Sequence, residues 1–485
     1  MKKQLLCLVL PLLATPVAAQ NAPTTIAVPA PITRRVVSVD LEVVKGPLSQ
    51  TWRECVGAGR VGEGLRADWQ AQLKLCKDEI GFKSLRMHGL LHDELGVYRE
   101  DKDGLPIYNF QYIDMVYDYL LSIGVRPFVE IGFMPNDLAT IRTEKAGPDG
   151  MIDDPQNPGK KRRVTVFWWK SNVTPPQDYA KWDALITALV THWTQRYGAT
   201  EVASWPFEVW NEPNHVAFWS PNDNTQRREE YFELYAHTAR AIKGVRPAYR
   251  VGGPATAGPA YIKELIDYCT QNNVPLDFLT WHVYGLAGGA GGFDELGNKG
   301  LIIDPRPRAV ASGVHSQDAL IAASSKPGLP VHITERSASY SNHDPVHDDY
   351  FEAPYILEQI KNTETLGSMS YWTFTDILEE TGIPAKPFNG GFGLLNLQGI
   401  KKPAFFAYRF LNRLGAQELV NADSQSIVTR DARGGVRKRP LLFGRFSWPA
   451  PRSSGLVGRG NRHFAHAPNQ QRAGRSSRIG LARRI

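Results

Sequence analysis

The stretch Phe207-Glu208-Val209-Trp210-Asn211-Glu212-Pro213-Asn214 is an apolar run that ends in an amide, a carboxylic acid and a proline. The pattern predicts a buried strand over 206–210 that presents an Asn-Glu pair at its C-terminal end, where the proline stops it. Hydrolysis of a glycosidic bond uses two carboxyl groups that face each other. If Glu212 is one of them, the second must come from elsewhere in the chain.

A repeated unit surrounds this stretch. Segments with an apolar residue at every third or fourth position alternate with short runs rich in β-branched residues, which predicts helices alternating with strands. Eight such strands point to an α/β fold of the (β/α)8 TIM-barrel type rather than to an open sheet. The predicted strands lie near Cys55–Gly57 and at Ser84–His88, Pro127–Phe133, Pro206–Trp210, Arg250–Gly253, Phe278–Tyr284, Pro330–Glu335 and Ser368–Phe374.

The 485 residues are too many for one small domain, and they predict a large catalytic unit with a smaller companion. We expect a signal peptide over 1–19, a Pro/Ala/Thr-rich linker over 20–33 and the barrel over 51–415. Strands at 34–50 and 416–435 are expected to contribute to a small accessory β-sandwich, which is incomplete if residues 436–485 are not part of it. The Gly-rich segment Gly288–Gly292 opens no helix, so we predict a flexible loop there rather than a dinucleotide site.

The N-terminus has the pattern of an export signal. Two lysines precede a short apolar run, and small residues end at Ala19, which predicts cleavage near that position. The apolar run is too short to cross a bilayer, and no later run reaches the roughly 20 residues that a spanning helix needs. We therefore expect an exported protein, in the periplasm or the medium, without a membrane partner.

The basic charge of the chain is concentrated at its C-terminal end. Fourteen of the Lys and Arg residues, against the single acid Asp431, lie in 430–485, so the rest of the chain is mildly acidic and does not indicate a nucleic-acid partner. The tail 436–485 is rich in Arg, Gly, Pro and Ser. It is open to three interpretations, which are polyanion binding, a disordered extension and out-of-frame translation, and the last is favoured. Nothing in the sequence indicates an oligomeric state.

The cysteines do not form a recognisable metal or disulfide framework. Cys7 leaves with the signal peptide, and Cys55, Cys76 and Cys269 lack the C-x-x-C spacing of a zinc site. A Cys55–Cys76 bridge is one reading, and buried free thiols are the favoured one. No carboxylate cluster completes a metal site around His88, so we expect no metal and no cofactor.

Chemistry in such barrels takes place at the C-terminal ends of the strands. Glu212 and Glu335 end the predicted fourth and seventh strands, where their side chains can meet across the barrel mouth. A glycosidase that retains anomeric configuration needs its carboxyl groups about 5–5.5 Å apart. Asn211 is placed to bind the sugar 2-hydroxyl, and Arg86 and His88 are candidate donors to Glu335.

These motifs together resemble glycoside hydrolase family 39, on its bacterial β-xylosidase side. The resemblance runs from about Trp52 to Arg433. It rests on Arg86-x-His88-Gly89-Leu90, Pro127-Phe128-Val129-Glu130-Ile131-Gly132-Phe133-Met134-Pro135, Asn172-Val173-Thr174-Pro175-Pro176, Trp210-Asn211-Glu212-Pro213-Asn214, Ile333-Thr334-Glu335 and Tyr371-Trp372-Thr373-Phe374.

The resemblance implies a retaining β-xylosidase that releases xylose from the non-reducing ends of xylo-oligosaccharides by double displacement. It makes Glu212 the acid/base and Glu335 the nucleophile, with no cofactor. It also implies sugar contacts from His88, Phe167, Asn211, Phe218, His282, Tyr340, Trp372 and Glu380.

The sequence departs from the family pattern at Arg336, which follows Glu335 where an aromatic residue is expected, and at Val283-Tyr284. An α-L-arabinosidase or α-L-iduronidase-like activity is the alternative within the enzyme class, and a non-catalytic carbohydrate-binding protein is the alternative outside it. Glu130 is expected to be a structural acid paired with an arginine, and His332 a packed histidine. In the cluster Phe167-Trp168-Trp169, core packing and sugar stacking are equally favoured.

Overall fold

The computed structural model describes residues 39–293, 299–304, 306, 309–361, 363–378, 380–421, 423, 426–431 and 436–439. The expected signal peptide, the linker and the tail beyond residue 439 lie outside these ranges. Eight parallel strands close into a barrel, each paired with its neighbour in chain order and the last paired with the first. They are β1 (Val56–Arg60), β2 (Ser84–His88), β3 (Arg126–Ile131), β4 (Pro206–Val209), β5 (Arg250–Ala257), β6 (Phe278–Tyr284), β7 (Val331–Ser337) and β8 (Ser368–Tyr371).

Helices follow the strands and cover the outside of the barrel, so the predicted (β/α)8 fold is confirmed. The helix Tyr179–Tyr197 shows why the sequence sets these boundaries. The Asp178 side chain accepts hydrogen bonds from the first free backbone amides, and Gly198 ends the helix with a positive φ of 84°. The other main helices are Ala67–Glu79, Gln111–Ser122, Arg227–Val245, Ile262–Gln271, Ala309–His315, Asp318–Ala322, Glu352–Ile360 and Pro403–Leu411.

Several short hairpins extend the strand-to-helix loops at the mouth of the barrel. They pair Tyr98–Glu100 with Pro106–Tyr108, Met151–Asp153 with Lys161–Arg163, and Thr165–Val166 with Ser171–Asn172. The predicted flexible loop at Gly288–Gly292 is wrong, because Leu286–Phe293 pairs antiparallel with Lys299–Ile303. Glycine has no side chain to show alternation, and backbone hydrogen bonds alone define this hairpin.

A second sheet lies beside the barrel and joins both ends of the described chain. Its strands are ordered Val39–Pro47, Gln417–Asn421, Ile427–Arg430 and Val436–Arg439, with antiparallel pairing throughout. The sequence predicted the end of ordered β-structure at Gly435, but the four residues that follow residue 435 pair in register with Ile427–Arg430. Antiparallel backbone pairing does not need the apolar alternation that is missing from these four residues.

The interior of the barrel is apolar at its N-terminal end. His332 is buried there against the rings of Phe128 and Phe278 and hydrogen-bonds to Ser368 Oγ, as expected for a packed histidine. The cysteines at 55, 76 and 269 are buried free thiols, which confirms the favoured reading. Within the described ranges, no helix is both long and apolar enough to cross a membrane.

Candidate active site

The C-terminal ends of β4, β6 and β7 bring two carboxyl groups and an imidazole together. His282 Nδ1 lies 2.7 Å from Glu212 Oε1 and 3.4 Å from Glu335 Oε2. One oxygen of each glutamate and one nitrogen of the histidine all lie within 4.8 Å of one another. This separation agrees with the short carboxyl-to-carboxyl spacing of retaining glycosidases and leaves too little room for the attacking water of an inverting one.

The backbone after β4 turns sharply to present Glu212. Trp210 and Glu212 have φ values of 71° and 44°, a left-handed conformation that costs a non-glycine residue free energy. Two contacts hold the turn in place. The Glu212 amide donates to the carbonyl of Ala255 over 2.8 Å, and Trp210 Nε1 donates to the carbonyl of Phe218 over 2.7 Å. The strained turn therefore fixes the position of the carboxyl group relative to β5.

Glu335 is surrounded by hydrogen-bond donors. Arg86 Nη1 donates to Oε1 over 2.8 Å, and the Tyr284 hydroxyl donates to Oε2 over 2.8 Å. Both contacts suit an ionised carboxylate, which accepts hydrogen bonds and donates none. His88 Nε2 lies 3.7 Å from Oε1, beyond hydrogen-bond distance, so of the two predicted donors only Arg86 makes the bond.

Glu212 has a different electrostatic environment. Burial raises its pKa to about 7, and the electrostatic effects of His215, His88 and Arg86 oppose this rise. Burial also lowers the pKa of His282 to about 4, so its ring is neutral at neutral pH. A carboxyl group that keeps its proton near pH 7 is suited to act as a general acid.

Arg86 connects the strands that carry the site, and its side chain is fully buried. Its guanidinium donates to Glu208 through Nε, to Glu335 through Nη1 and to Asn211 Oδ1 through Nη2. Nη2 also lies 2.9 Å from Glu130 Oε2, which confirms the expected pairing of Glu130 with an arginine. One cation therefore orients the Asn-Glu turn after β4 and the carboxylate on β7 at the same time.

The buried acids around this arginine have partners of their own. Thr334 Oγ1 donates to Glu208 Oε1 over 2.8 Å, which joins β4 to the residue immediately before Glu335. Glu130 Oε2 lies 2.7 Å from His88 Nδ1. Burial raises the pKa of Glu130 to about 8, against the opposing effect of Arg86. The network thus holds one arginine among several acids, of which Glu130 readily keeps a proton.

Aromatic rings form the wall of the pocket. The His88 ring packs against Trp372, with 4.6 Å between ring centroids, and stacks on Phe167 at 5.7 Å. The ring centroid of Phe218 lies 5.5 Å from that of Phe167, and Phe218 extends the wall towards the loop after β4. Asn211 uses its side-chain oxygen on Arg86, so its amide nitrogen is left for a ligand.

Two of the predicted sugar contacts lie at the rim. Burial, followed by the nearby charges of Glu335, Glu63 and Glu212, raises the pKa of Glu380 to about 8. Tyr340 is 62% exposed, and its ring stands edge-on to Tyr284 with a centroid distance of 6.0 Å. The structure therefore gathers His88, Asn211, Phe167, Phe218, His282 and Trp372 around the glutamates, with Glu380 and Tyr340 at the entrance.

Two further residues of the site have no role assigned by the sequence pattern. Tyr284, which departs from the family pattern after His282, donates directly to Glu335. Glu208, which lies inside the apolar run before Asn211, is a buried partner of Arg86. The signal for Glu208 was present, because an acid inside an otherwise apolar run needs a buried partner.

Glu212, His282 and Glu335 are also the one group in the described part of the chain with the spacing of metal ligands. The surroundings do not fit an ion. Arg86 is hydrogen-bonded to Glu335, and its fixed positive charge would repel a cation at this position. The three side chains are accounted for by proton transfer and hydrogen bonding instead.

Known proteins are similar to this chain over most of its length. The model of "Glycosyl hydrolases family 39" matches residues 35–436. A β-xylosidase of Geobacillus stearothermophilus is 42% identical over 393 residues, which are 80% of this chain and 73% of that protein. One of Caldicellulosiruptor saccharolyticus is 40% identical over 391 residues, with the same coverage of each chain. The crystal structure of a monomeric β-xylosidase from Caulobacter crescentus CB15 has a TM-score of 0.73 and 42% identity over 82% of this chain and 75% of that one.

The extent of these matches goes well beyond the short motifs around the glutamates. The family model spans the barrel and reaches the accessory sheet on both sides. The chain belongs to glycoside hydrolase family 39.

Proposed function

We propose that the protein is a retaining β-xylosidase in which Glu335 is the nucleophile and Glu212 the acid/base. The observation that carries the proposal is the approach of the two carboxyl groups to within 4.8 Å in unequal environments. Glu335 accepts hydrogen bonds from Arg86 and Tyr284, whereas burial raises the pKa of Glu212 to about 7. The β-xylosidases at 42% and 40% identity support the choice of substrate.

In the first step an oxygen of Glu335 forms a bond to the anomeric carbon of the terminal xylose as the bond to the leaving oxygen breaks. The proton of Glu212 passes to that oxygen, so the shortened oligosaccharide leaves as an alcohol. Asn211 is in reach to donate to the sugar 2-hydroxyl, a contact that strengthens as positive charge develops on the sugar ring. Glu335 is now an ester, and Glu212 is ionised.

In the second step Glu212 removes a proton from a water molecule, which attacks the anomeric carbon and releases Glu335. The proton returns to Glu212, so the enzyme regains its starting state and the product keeps the β configuration. His282 Nδ1 contacts both glutamates and stays neutral. It can therefore follow the movement of the proton by changing its hydrogen-bond partner, without holding a charge of its own.

The charge of the pocket favours a neutral sugar over a uronic acid. Arg86, the cation bonded to the nucleophile, is already shared among several acceptors of the protein. Glu380 adds a further carboxyl group, whose pKa is raised by burial and by the charges of the two catalytic glutamates. A sugar carboxylate would therefore find Arg86 already bonded to protein acceptors, and burying that charge without a cationic partner is costly, which argues for xylose and against iduronate.

The assignment of roles is tested with Glu335→Gln and Glu212→Ala. Glu335→Gln should abolish hydrolysis of an aryl β-xyloside. Glu212→Ala should lose on the order of 10²–10⁴ in kcat/KM on xylobiose but far less in kcat/KM, which reports the first step, on an aryl xyloside whose leaving group needs no proton. Equal losses on both substrates would rule out the acid role. Glu352→Gln is the matched control, because Glu352 is also a fully buried acid but lies on the helix Glu352–Ile360, outside the site.

Azide separates the two roles independently of rate. Azide added to Glu212→Ala should restore turnover and give β-xylosyl azide, since it replaces water in the second step. With a small residue at position 335 it should give the α anomer, because it then attacks the sugar directly. The reverse pattern in ¹H NMR spectra would exchange the two roles.

We further propose that the protein is exported, on the basis of the charged start, the short apolar run and the small residues up to Ala19. Expression of the full chain should place β-xylosidase activity outside the cytoplasm, with a mature N-terminus near Gln20. A cytoplasmic enzyme that retains Met1 would contradict this proposal.

A further inference from the structure

Trp168 differs from the other tryptophans that the structure describes. Its side chain is 57% exposed, Trp169 is half-buried, and the others are almost completely buried. An indole left in water carries a large apolar surface that gains nothing from folding. Exposure of this kind at the rim of a functional site indicates contact with a ligand.

The local fold directs Trp168 outwards. It lies at the tip of the hairpin formed by Thr165–Val166 and Ser171–Asn172. Phe167 and Lys170, with φ values of 62° and 55°, set the tight turn. The Phe167 ring turns inwards onto His88, and the backbone reversal leaves the neighbouring Trp168 ring on the solvent side.

The exposed indole is fixed at the entrance of the pocket. The Trp168 amide donates to the carbonyl of Glu380 over 2.8 Å. The ring lies over Gly382, where an added Cβ would be 3.7 Å from the indole Cδ1. On the other side of this loop, Thr381 Oγ1 hydrogen-bonds to Asn342 and His343. Contacts on two sides therefore hold the loop that carries the Trp168 ring, and little conformational entropy is lost when a ligand binds.

We propose that Trp168 is a stacking platform for a xylosyl unit next to the one held in the pocket. The inference rests on the proposed exo-acting β-xylosidase function, in which the pocket takes the terminal unit and every further unit lies outside it, on the leaving-group side. A pyranose ring presents a face of C–H groups that suits an indole, and xylose has no charge that would need a partner. Ile383, 65% exposed on the same loop, extends the apolar surface.

The experiment compares two substrates that differ only outside the pocket. β-Xylosyl fluoride has a leaving group too small to reach Trp168, whereas xylotriose can cover it. Trp168→Ala should lower kcat/KM for xylotriose by roughly three- to tenfold, the effect of one aromatic contact, and leave the fluoride unchanged. Trp168→Phe should recover most of the loss, because a phenyl ring keeps a flat apolar face.

The controls separate this proposal from the one on which it rests. Tyr112→Ala removes a 41% exposed aromatic side chain from the helix Gln111–Ser122, outside the barrel mouth, and should change neither substrate. An equal loss on fluoride and xylotriose would show that Trp168 supports the pocket itself, and no loss on either would remove it from substrate binding; both results overturn the proposal. Failure of the unmodified enzyme to hydrolyse any β-xyloside would instead overturn the proposed function.

Discussion

The hydroxyl of Tyr284 donates a hydrogen bond to Glu335 Oε2 over 2.8 Å. Burial, together with the charge of Glu335, raises the pKa of Tyr284 well above its usual value, so the phenol keeps its proton at any pH at which the enzyme works. A donor that does not ionise can stabilise the carboxylate before attack and can still donate to the carbonyl oxygen of the ester. In the proposed mechanism Tyr284 therefore acts on Glu335 throughout the reaction.

Tyr284→Phe removes this donor and leaves the ring in place. We expect kcat on an aryl β-xyloside to fall by roughly 10–100-fold, the effect of one hydrogen bond to a charged group, with little change in KM. An unchanged kcat would show that Tyr284 does not stabilise the carboxylate.

The basic limb of the pH–rate profile reports on Glu212. Its raised pKa of about 7 means that the proton needed by the leaving group is lost as the pH rises above neutrality. For the unmodified enzyme kcat/KM on xylobiose should therefore decline above about pH 7. Glu212→Ala, assayed on an aryl xyloside that needs no protonation, should lack this limb. Persistence of the limb in the variant would assign it to another group.

Glu208→Gln tests whether charge, and not only shape, matters around Arg86. The amide can keep both contacts of Glu208, to Arg86 and to Thr334, but it removes one negative charge from the network. Arg86 then acts more strongly on Glu335, which makes the carboxylate a weaker nucleophile, so kcat on an aryl β-xyloside should fall. Glu352→Gln should leave kcat unchanged. A purely structural role for Glu208 predicts the same result for both variants.

Glu380→Gln should change the dependence of stability on pH. Glu380 ionises near 4.5 in the unfolded chain but only near 8 in the folded protein, because burial and nearby acids raise its pKa. Between these values the unfolded state releases the proton more readily, so this group lowers stability as the pH rises towards 8.

Glutamine carries no such penalty. The melting temperature of Glu380→Gln should match that of the unmodified protein near pH 4 and exceed it increasingly up to pH 8. A constant difference across this range would contradict the pKa assignment. Activity on β-xylosides should fall at the same time if Glu380 binds the sugar.

The barrel could be predicted because its strands are buried and bounded by clear signals. β2 and β6 have the bounds that the apolar runs indicated, and Asp178 is of the residue type that begins helices. The hairpin Leu286–Phe293 could not be predicted, because a run of glycines carries no periodicity. Its partner strand is recognised only through backbone pairing.

The site was predictable only to the level of which residues end the strands. Convergence of Glu212 and Glu335 follows from barrel topology, and so does the contact between Arg86 and Glu335. His88 Nε2 stays 3.7 Å from Glu335 Oε1, because the ring packs against Trp372 and its Nδ1 contacts Glu130. Such differences arise from side-chain packing in three dimensions and leave no trace in sequence spacing.

The accessory sheet has a topological consequence for the whole chain. β8 and β1 are joined by a single registered pair, Tyr371 with Val56, fewer than at any other junction between neighbouring strands of the barrel. The strand Val39–Pro47 precedes β1 in the chain, and its partner Gln417–Asn421 follows the helix Pro403–Leu411 that comes after β8, with Val39 opposite Asn421. Their pairing holds the two ends of the barrel segment together and so closes a noncovalent ring. This closure lowers the conformational entropy that the chain gains when β8 separates from β1. Because the two ends of this ring lie side by side, a short peptide could join them, and the chain could be opened at another loop without changing the order of strands around the barrel.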